Sequence, residues 1–163
     1  MSSDTVTALA TLAGARLKAK GLMLATAESC TGGWVAQAVT AIAGSSDWFE
    51  RGFVTYSNAA KMDMLRVKAG TLRTHGAVSE QTAGEMAAGA LARSRAQVAV
   101  AITGIAGPAG GSAEKPVGTV CFGWATKTGA VCVETRRFKG DRESVRRQSV
   151  IVALQGVLAL LEG

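Results

Sequence analysis

The chain has 163 residues, 48% of them hydrophobic and 18% charged, with a formal net charge of +6. That is the length of one ordinary domain with enough apolar side chains for a core, which excludes a disordered chain. The longest apolar runs fall short of the about 18 residues that a membrane span needs.

The first 21 residues, MSSDTVTALATLAGARLKAKG, read as an amphipathic helix over 5–20 with no signal-peptide cleavage region, so a cytoplasmic protein is expected. Leu22 to Thr26 reads as a buried strand, followed by the polar turn TAESCTGG and a helix from Gly33 to Ala43. Ser45, Ser46 and Asp47 open a short turn carrying Trp48 and Phe49. RGFVTYS is a second strand, and Asn58 to Leu65 a short helix. Ser79 caps an alanine-rich helix, Glu80 to Arg93, and Gln97 to Thr103 is an apolar run of the kind buried on both faces. A glycine-rich loop, Gly104 to Pro116, leads to a hairpin of Val117 to Thr126 and Ala130 to Phe138. The last helix starts at Asp141, with Val145, Val152, Leu154, Val157 and Leu161 among its apolar positions. Alternating helices and strands followed by a hairpin predict a single three-layer α/β/α domain with a mixed, mostly parallel sheet.

Ligands of such sheets sit beyond the strand ends. Three polar loops, 27–33, 57–61 and 104–116, are therefore expected to share a pocket. In the first, Thr31, Gly32 and Gly33 lie at a helix start, where free N–H groups favour an anion. The alternative there is an ordinary capped turn with Thr31 as N-cap, a reading that leaves Glu28 without a purpose. Ser46 sits at another helix start, and Lys61 follows Tyr56 by five residues. A lysine near a serine serves as a general base when burial lowers its pKa, and a tyrosine can relay a proton. Ser29 occupies an equally good turn, and Cys30 is a rival nucleophile with no evident base. Arg142 falls in the first turn of a helix, where a cation opposes the dipole, so it is expected to share an anion with that helix end. Arg146 and Arg147, one turn on, read as surface or subunit-contact residues. Cys30, Cys121 and Cys132 form no CxxC pair and His75 is the single histidine, so no zinc-type ligand pattern is present.

TAESCTGG, GSSDWFERGFVTYSNAAK, GAVSEQTA, AITGIAGPAGG, KPVGTV and GDRESVRRQ together resemble the CinA C-terminal-domain family. The resemblance covers about residues 5–160 and implies one domain over 1–163, without the N-terminal domain of the family's longer members. It implies an amidohydrolase that converts nicotinamide mononucleotide (NMN) and water to nicotinate mononucleotide and ammonia in pyridine nucleotide recycling. No metal or cofactor is implied. Ser46 would be the nucleophile, Lys61 the base and Tyr56 an assistant, with Glu28, Ser29, Thr31, Gly32, Gly33, Asn58, Thr103, Gly104, Gly107 and Arg142 binding substrate.

Two further readings stand beside it. One is a non-catalytic nucleotide-binding or competence-associated interaction domain using the same pocket. The other is nucleic-acid binding, suggested by charge alone; aromatics are only 5% of the chain and no helix-turn-helix pattern appears, which weighs against it. A homodimer or higher homo-oligomer is expected, on the ground that the alanine-rich helix exposes small side chains for close packing.

Overall fold

The structure is a computed structural model that describes residues 3–162; residues 1, 2 and 163 of the expected domain lie outside them. Its elements are α1 (Ser3–Lys20), β1 (Leu24–Glu28), α2 (Trp34–Thr40), a 3₁₀ turn (Ser45–Asp47) and β2 (Phe49–Val54). Then follow α3 (Asn58–Leu65), α4 (Ala69–His75), α5 (Glu80–Ala92), β3 (Val98–Gly104), β4 (Thr119–Thr126), β5 (Val131–Arg137) and α6 (Arg142–Glu162).

The five strands form one sheet in the order β2-β1-β3-β4-β5. β1 pairs in parallel with β2 and β3, whereas β4 runs antiparallel to both β3 and β5. The sheet is mixed, with only β4 reversed, and helices cover both faces. Period-two alternation sorts the strand residues between two cores. Val98, Val100, Ile102, Val120, Phe122 and Trp124 face α1, α2 and α6. The opposite face is lined by Ala25, Ala27, Ala99, Ala101 and Ala125, and it meets α3 and α5.

Small residues on that second face bring α5 close. A Cβ at Gly123 of β4 would overlap the Ala83 carbonyl, so glycine is required where helix and strand meet. Ala83, Met86, Ala87 and Ala90 are consequently buried. This overturns the expectation that α5 chiefly exposes its small side chains: apart from Ala88 and Ala92 on the outer face, its alanines are spent on the chain's own sheet.

Two more expectations change. Helix α4 is absent from the sequence reading because its cap is not local. Glu85 of α5 accepts from Lys68 N (2.9 Å) and from Thr71 Oγ1 (2.6 Å), which holds the first turn from 14 to 17 residues away. Helix α6, at 21 residues, is long and apolar enough to cross a membrane, contrary to the length argument above. Half of that stretch is packed inside the fold, with Val145, Val150, Leu154 and Val157 against the sheet. Its apolarity therefore has a cause in the core.

Because β1, β2 and β3 are parallel, the segments leaving them emerge on one rim. These are residues 29–33, 55–57 and 105–118. The N-terminus of α6 comes back to the same rim.

Candidate active site

A cavity of about 230 Å³ opens on this rim, and it is lined by Ser29, Tyr56, Asn58, Lys61, Thr103, Gly104 and Arg142. Three larger cavities lie elsewhere: an apolar groove between β5 and α6, one beside His75, and a polar one of about 290 Å³ between Asp141 and Gln148. None of them touches Lys61 or Ser29, so size does not mark the site; chemistry does.

Lys61 is held in place by α3. Ser57 caps that helix, its Oγ accepting from Ala60 N at 3.0 Å. One turn in, Lys61 points inward and is 1% exposed. Its Nζ lies 3.0 Å from Ser29 Oγ, 3.0 Å from the Thr55 carbonyl and 3.1 Å from the Tyr56 carbonyl. Burial pushes the amine below its ordinary pKa. The three contacts define what each protonation state can do. An ammonium donates to all three oxygens. A neutral amine gives its two N–H groups to the two carbonyls, which leaves the lone pair aimed at Ser29.

Ser29 is fixed through its backbone, whose N–H donates to Ile102 O of β3 at 2.9 Å. Its hydroxyl can turn to the Tyr56 carbonyl at 3.3 Å or to Lys61. The neighbouring Cys30 thiol is pushed up to about 12, chiefly by burial, so it stays protonated at neutral pH and is a poor nucleophile.

Ser46 is elsewhere. It is exposed in the 3₁₀ turn before β2, whereas Lys61 follows the other end of that strand. Six residues of strand separate the two ends by roughly 20 Å. The structure brings Ser29 to Lys61 and does not bring Ser46.

Glu28 also has a different place from the expected one. It is 1% exposed and turned into α2, where Oε1 accepts from Thr31 Oγ1 (2.6 Å) and Val35 N (2.9 Å) and Oε2 from Ala36 N (3.0 Å). The helix start expected to receive an anion is filled by the chain's own carboxylate. Thr31, Gly32 and Gly33 shape that turn, with φ of +58° at Gly32 and +106° at Gly33. None of the three lines the cavity.

The remaining expected residues frame the pocket. Thr103 Oγ1 donates to Ala77 O at 2.8 Å and ties the end of β3 to the segment before α5. A Cβ at Gly104 would lie 3.1 Å from Cys30 Sγ and 2.8 Å from Val120 Cγ2, so the strand end stays bare. Asn58, exposed at the first position of α3, presents its amide at the mouth. Arg142 reaches across it: Nη1 donates to Gly107 O at 2.8 Å, and Nη2 lies 3.4 Å from the Tyr56 hydroxyl. Asp141 caps α6, accepting from Ser144 N at 2.9 Å.

Arg146 was not expected here. Its Nε donates to Cys30 O at 3.0 Å and its Nη2 to Thr31 O at 3.2 Å, while the guanidinium sits 5.5 Å from the Trp34 ring centre. Its spacing of four from Arg142, which puts both on one face of α6, was the available signal. Among the described residues, no cluster of three or more His, Cys, Asp or Glu side chains could hold a metal ion.

A mixed five-stranded sheet with helices on both faces defines an α/β domain of known kind. Residues 6–161 match the CinA C-terminal domain, and the chain belongs to that family. It is 57% identical to the nicotinamide-nucleotide amidohydrolase PncC of Enterobacter agglomerans, over 97% of this chain and 96% of that protein. The PncC of Escherichia coli K12 is also 57% identical, over 95% of this chain and 94% of its own length. The crystal structure of the competence/damage inducible protein CihA from Agrobacterium tumefaciens superposes with a TM-score of 0.95 at 51% identity, covering 98% of this chain and 96% of that one.

Proposed function

We infer that this chain is a nicotinamide-nucleotide amidohydrolase, which hydrolyses the carboxamide of NMN to nicotinate mononucleotide and ammonia. The near full-length identity to two PncC proteins supports the activity. One observation carries the mechanism: Lys61 Nζ, buried and held by two carbonyls, lies 3.0 Å from Ser29 Oγ. This moves the nucleophile from Ser46 to Ser29.

Neutral Lys61 takes the Ser29 proton as Oγ bonds to the carboxamide carbon. The tetrahedral adduct collapses with cleavage of the C–N bond, and Lys61 returns the proton to the departing nitrogen, which leaves as ammonia. A nicotinoyl ester on Ser29 remains. Water, deprotonated by Lys61, attacks that ester and releases the carboxylate and the serine hydroxyl. Tyr56 serves chiefly through its carbonyl, which orients Lys61. Arg142, at the mouth, takes the 5′-phosphate as a charge-assisted partner. The enzyme works as a cytoplasmic homo-oligomer in pyridine nucleotide recycling. The support for association is the exposed edge strand β5, with Val131 and Val133 at 50% and 42% exposure.

Ammonia release from NMN by the purified protein is the test. Ser29→Ala and Lys61→Ala are expected to lower kcat by at least about three decades, as loss of a catalytic nucleophile or its base does, while Ser46→Ala keeps wild-type turnover. An active Ser29→Ala with an inactive Ser46→Ala would return the nucleophile to Ser46. No ammonia from the wild type would leave the chain a nucleotide-binding module.

A further inference from the structure

The turn that carries Ser29 is gripped from α6 as well as from its own strand. Arg146 forks two consecutive carbonyls, Cys30 O at 3.0 Å and Thr31 O at 3.2 Å. Only a planar guanidinium presents two donors in that fixed geometry. The guanidinium also lies over the ring of Trp34, the first residue of α2, 5.5 Å from its centre. Gly32 lets the turn form: it sits at φ +58°, which side chains rarely adopt, while a Cβ there would only make an ordinary contact of 3.6 Å with Arg146 Nη2. On the other side, Ser29 N–H is tied to Ile102 O. The plane before the serine is thus held by β3, while α6 holds the two planes that follow Cys30 and Thr31, and the second of these donates its Gly32 N–H to Ser29 O at 3.0 Å.

We propose that Arg146 is a positioning residue for the nucleophile, locking the turn after β1 so that Ser29 Oγ stays within reach of Lys61 Nζ. Arg146 does not line the cavity, so it acts through the two carbonyls rather than on the substrate. A trans peptide is rigid, so the Thr31 carbonyl held by Arg146 also fixes the Gly32 N–H, which donates to Ser29 O at 3.0 Å; turning that plane away from α6 withdraws the bond on the serine's own carbonyl. Displacement of a reacting atom by about 1 Å can lower a rate by about two decades. The inference rests on the reading of Ser29 as nucleophile.

The test compares five variants in the ammonia assay with NMN. Arg146→Ala is expected to lower kcat roughly 30- to 100-fold with little change in KM, and millimolar guanidinium should restore part of the loss. Arg146→Lys should restore little, because an ammonium cannot fork two carbonyls. Arg147→Ala is the control. Arg147 also lies over Trp34, at 5.6 Å, and pairs with Glu143 on the helix surface, so its loss should leave kcat within twofold of the wild type. Arg142→Ala should raise KM by roughly one to two decades, the loss of one charge-assisted bond to phosphate. Wild-type kcat in Arg146→Ala would overturn the proposal. So would an equal loss in Arg147→Ala, which would assign the effect to Trp34 packing. If Arg146→Ala does not fold, Arg146→Lys decides: wild-type kcat in that variant overturns the proposal, and a kcat loss at unchanged melting temperature supports it. Ser29→Ala in the same assay separates the two readings. An active Ser29→Ala fails the nucleophile assignment; an inactive one beside an unimpaired Arg146→Ala fails only the positioning role.

Discussion

Lys61 meets two opposed demands. Burial disfavours its charged form, and the two carbonyls on its Nζ favour it. Burial wins, and the native pKa falls below the ordinary 10.5. Between the lowered value and 10.5, the unfolded chain binds a proton that the native chain does not, so this group makes stability rise with pH through that window. Below the native value both states are charged and the burial penalty is complete. The melting temperature of the wild type relative to Lys61→Met should therefore shift in favour of the wild type as pH is raised toward 10.5. A flat difference, or a shift of opposite sign, would mean that the amine is not depressed. Catalysis should follow the same proton: kcat/KM for NMN rises on the acid side as Lys61 becomes neutral.

Among the elements, α2 shows how a carboxylate can be structural while looking like a ligand. The helix has no side-chain cap at Gly33, and Glu28 supplies the missing acceptors for Val35 and Ala36. Glu28→Gln should destabilise the fold by about 1.5–3 kcal/mol, the range for hydrogen bonds to a charged group, with KM for NMN unchanged. Thermal melts together with KM decide it, since an unchanged melt with a raised KM would put Glu28 on the substrate. The sequence showed that a carboxylate in this turn was out of the ordinary, but not that it folds back onto N–H groups seven and eight residues ahead. The α3 and α5 starts were readable because Ser57 and Ser79 cap locally. That of α4 was not, because its cap comes from Glu85. Which of the two serines lies beside Lys61 was within reach of sequence reasoning. Ser46 precedes β2 and Ser29 follows β1, and in parallel strands only the following segments share a rim. The role of Arg146 depends on how α6 docks, which spacing alone does not state.

At the scale of the whole molecule, β5 is the edge strand more fully exposed of the two that bound the sheet, and the surface from which association is expected. It is an edge strand exposed along nearly all its length, with unpaired backbone on one side and charged Glu134, Arg136 and Arg137 along it. Edge strands of this kind either carry charges that deter pairing or meet a partner. Light scattering at micromolar concentration should find a species larger than the 16.6 kDa monomer, and a monomer would leave the charges of β5 as a deterrent.

The rim that holds the site draws on β1, β2, β3 and the start of α6, and both arginines of the site follow every strand in the chain. No fragment ending before α6 contains a complete pocket. Turnover is thus a late event in folding: a molecule whose sheet has formed but whose final helix is undocked would hold Ser29 and Lys61 and still lack the grip on both turn and mouth. Activity regained during refolding would time the docking of α6, and the lag behind the return of secondary structure would measure how long the half-built catalyst persists.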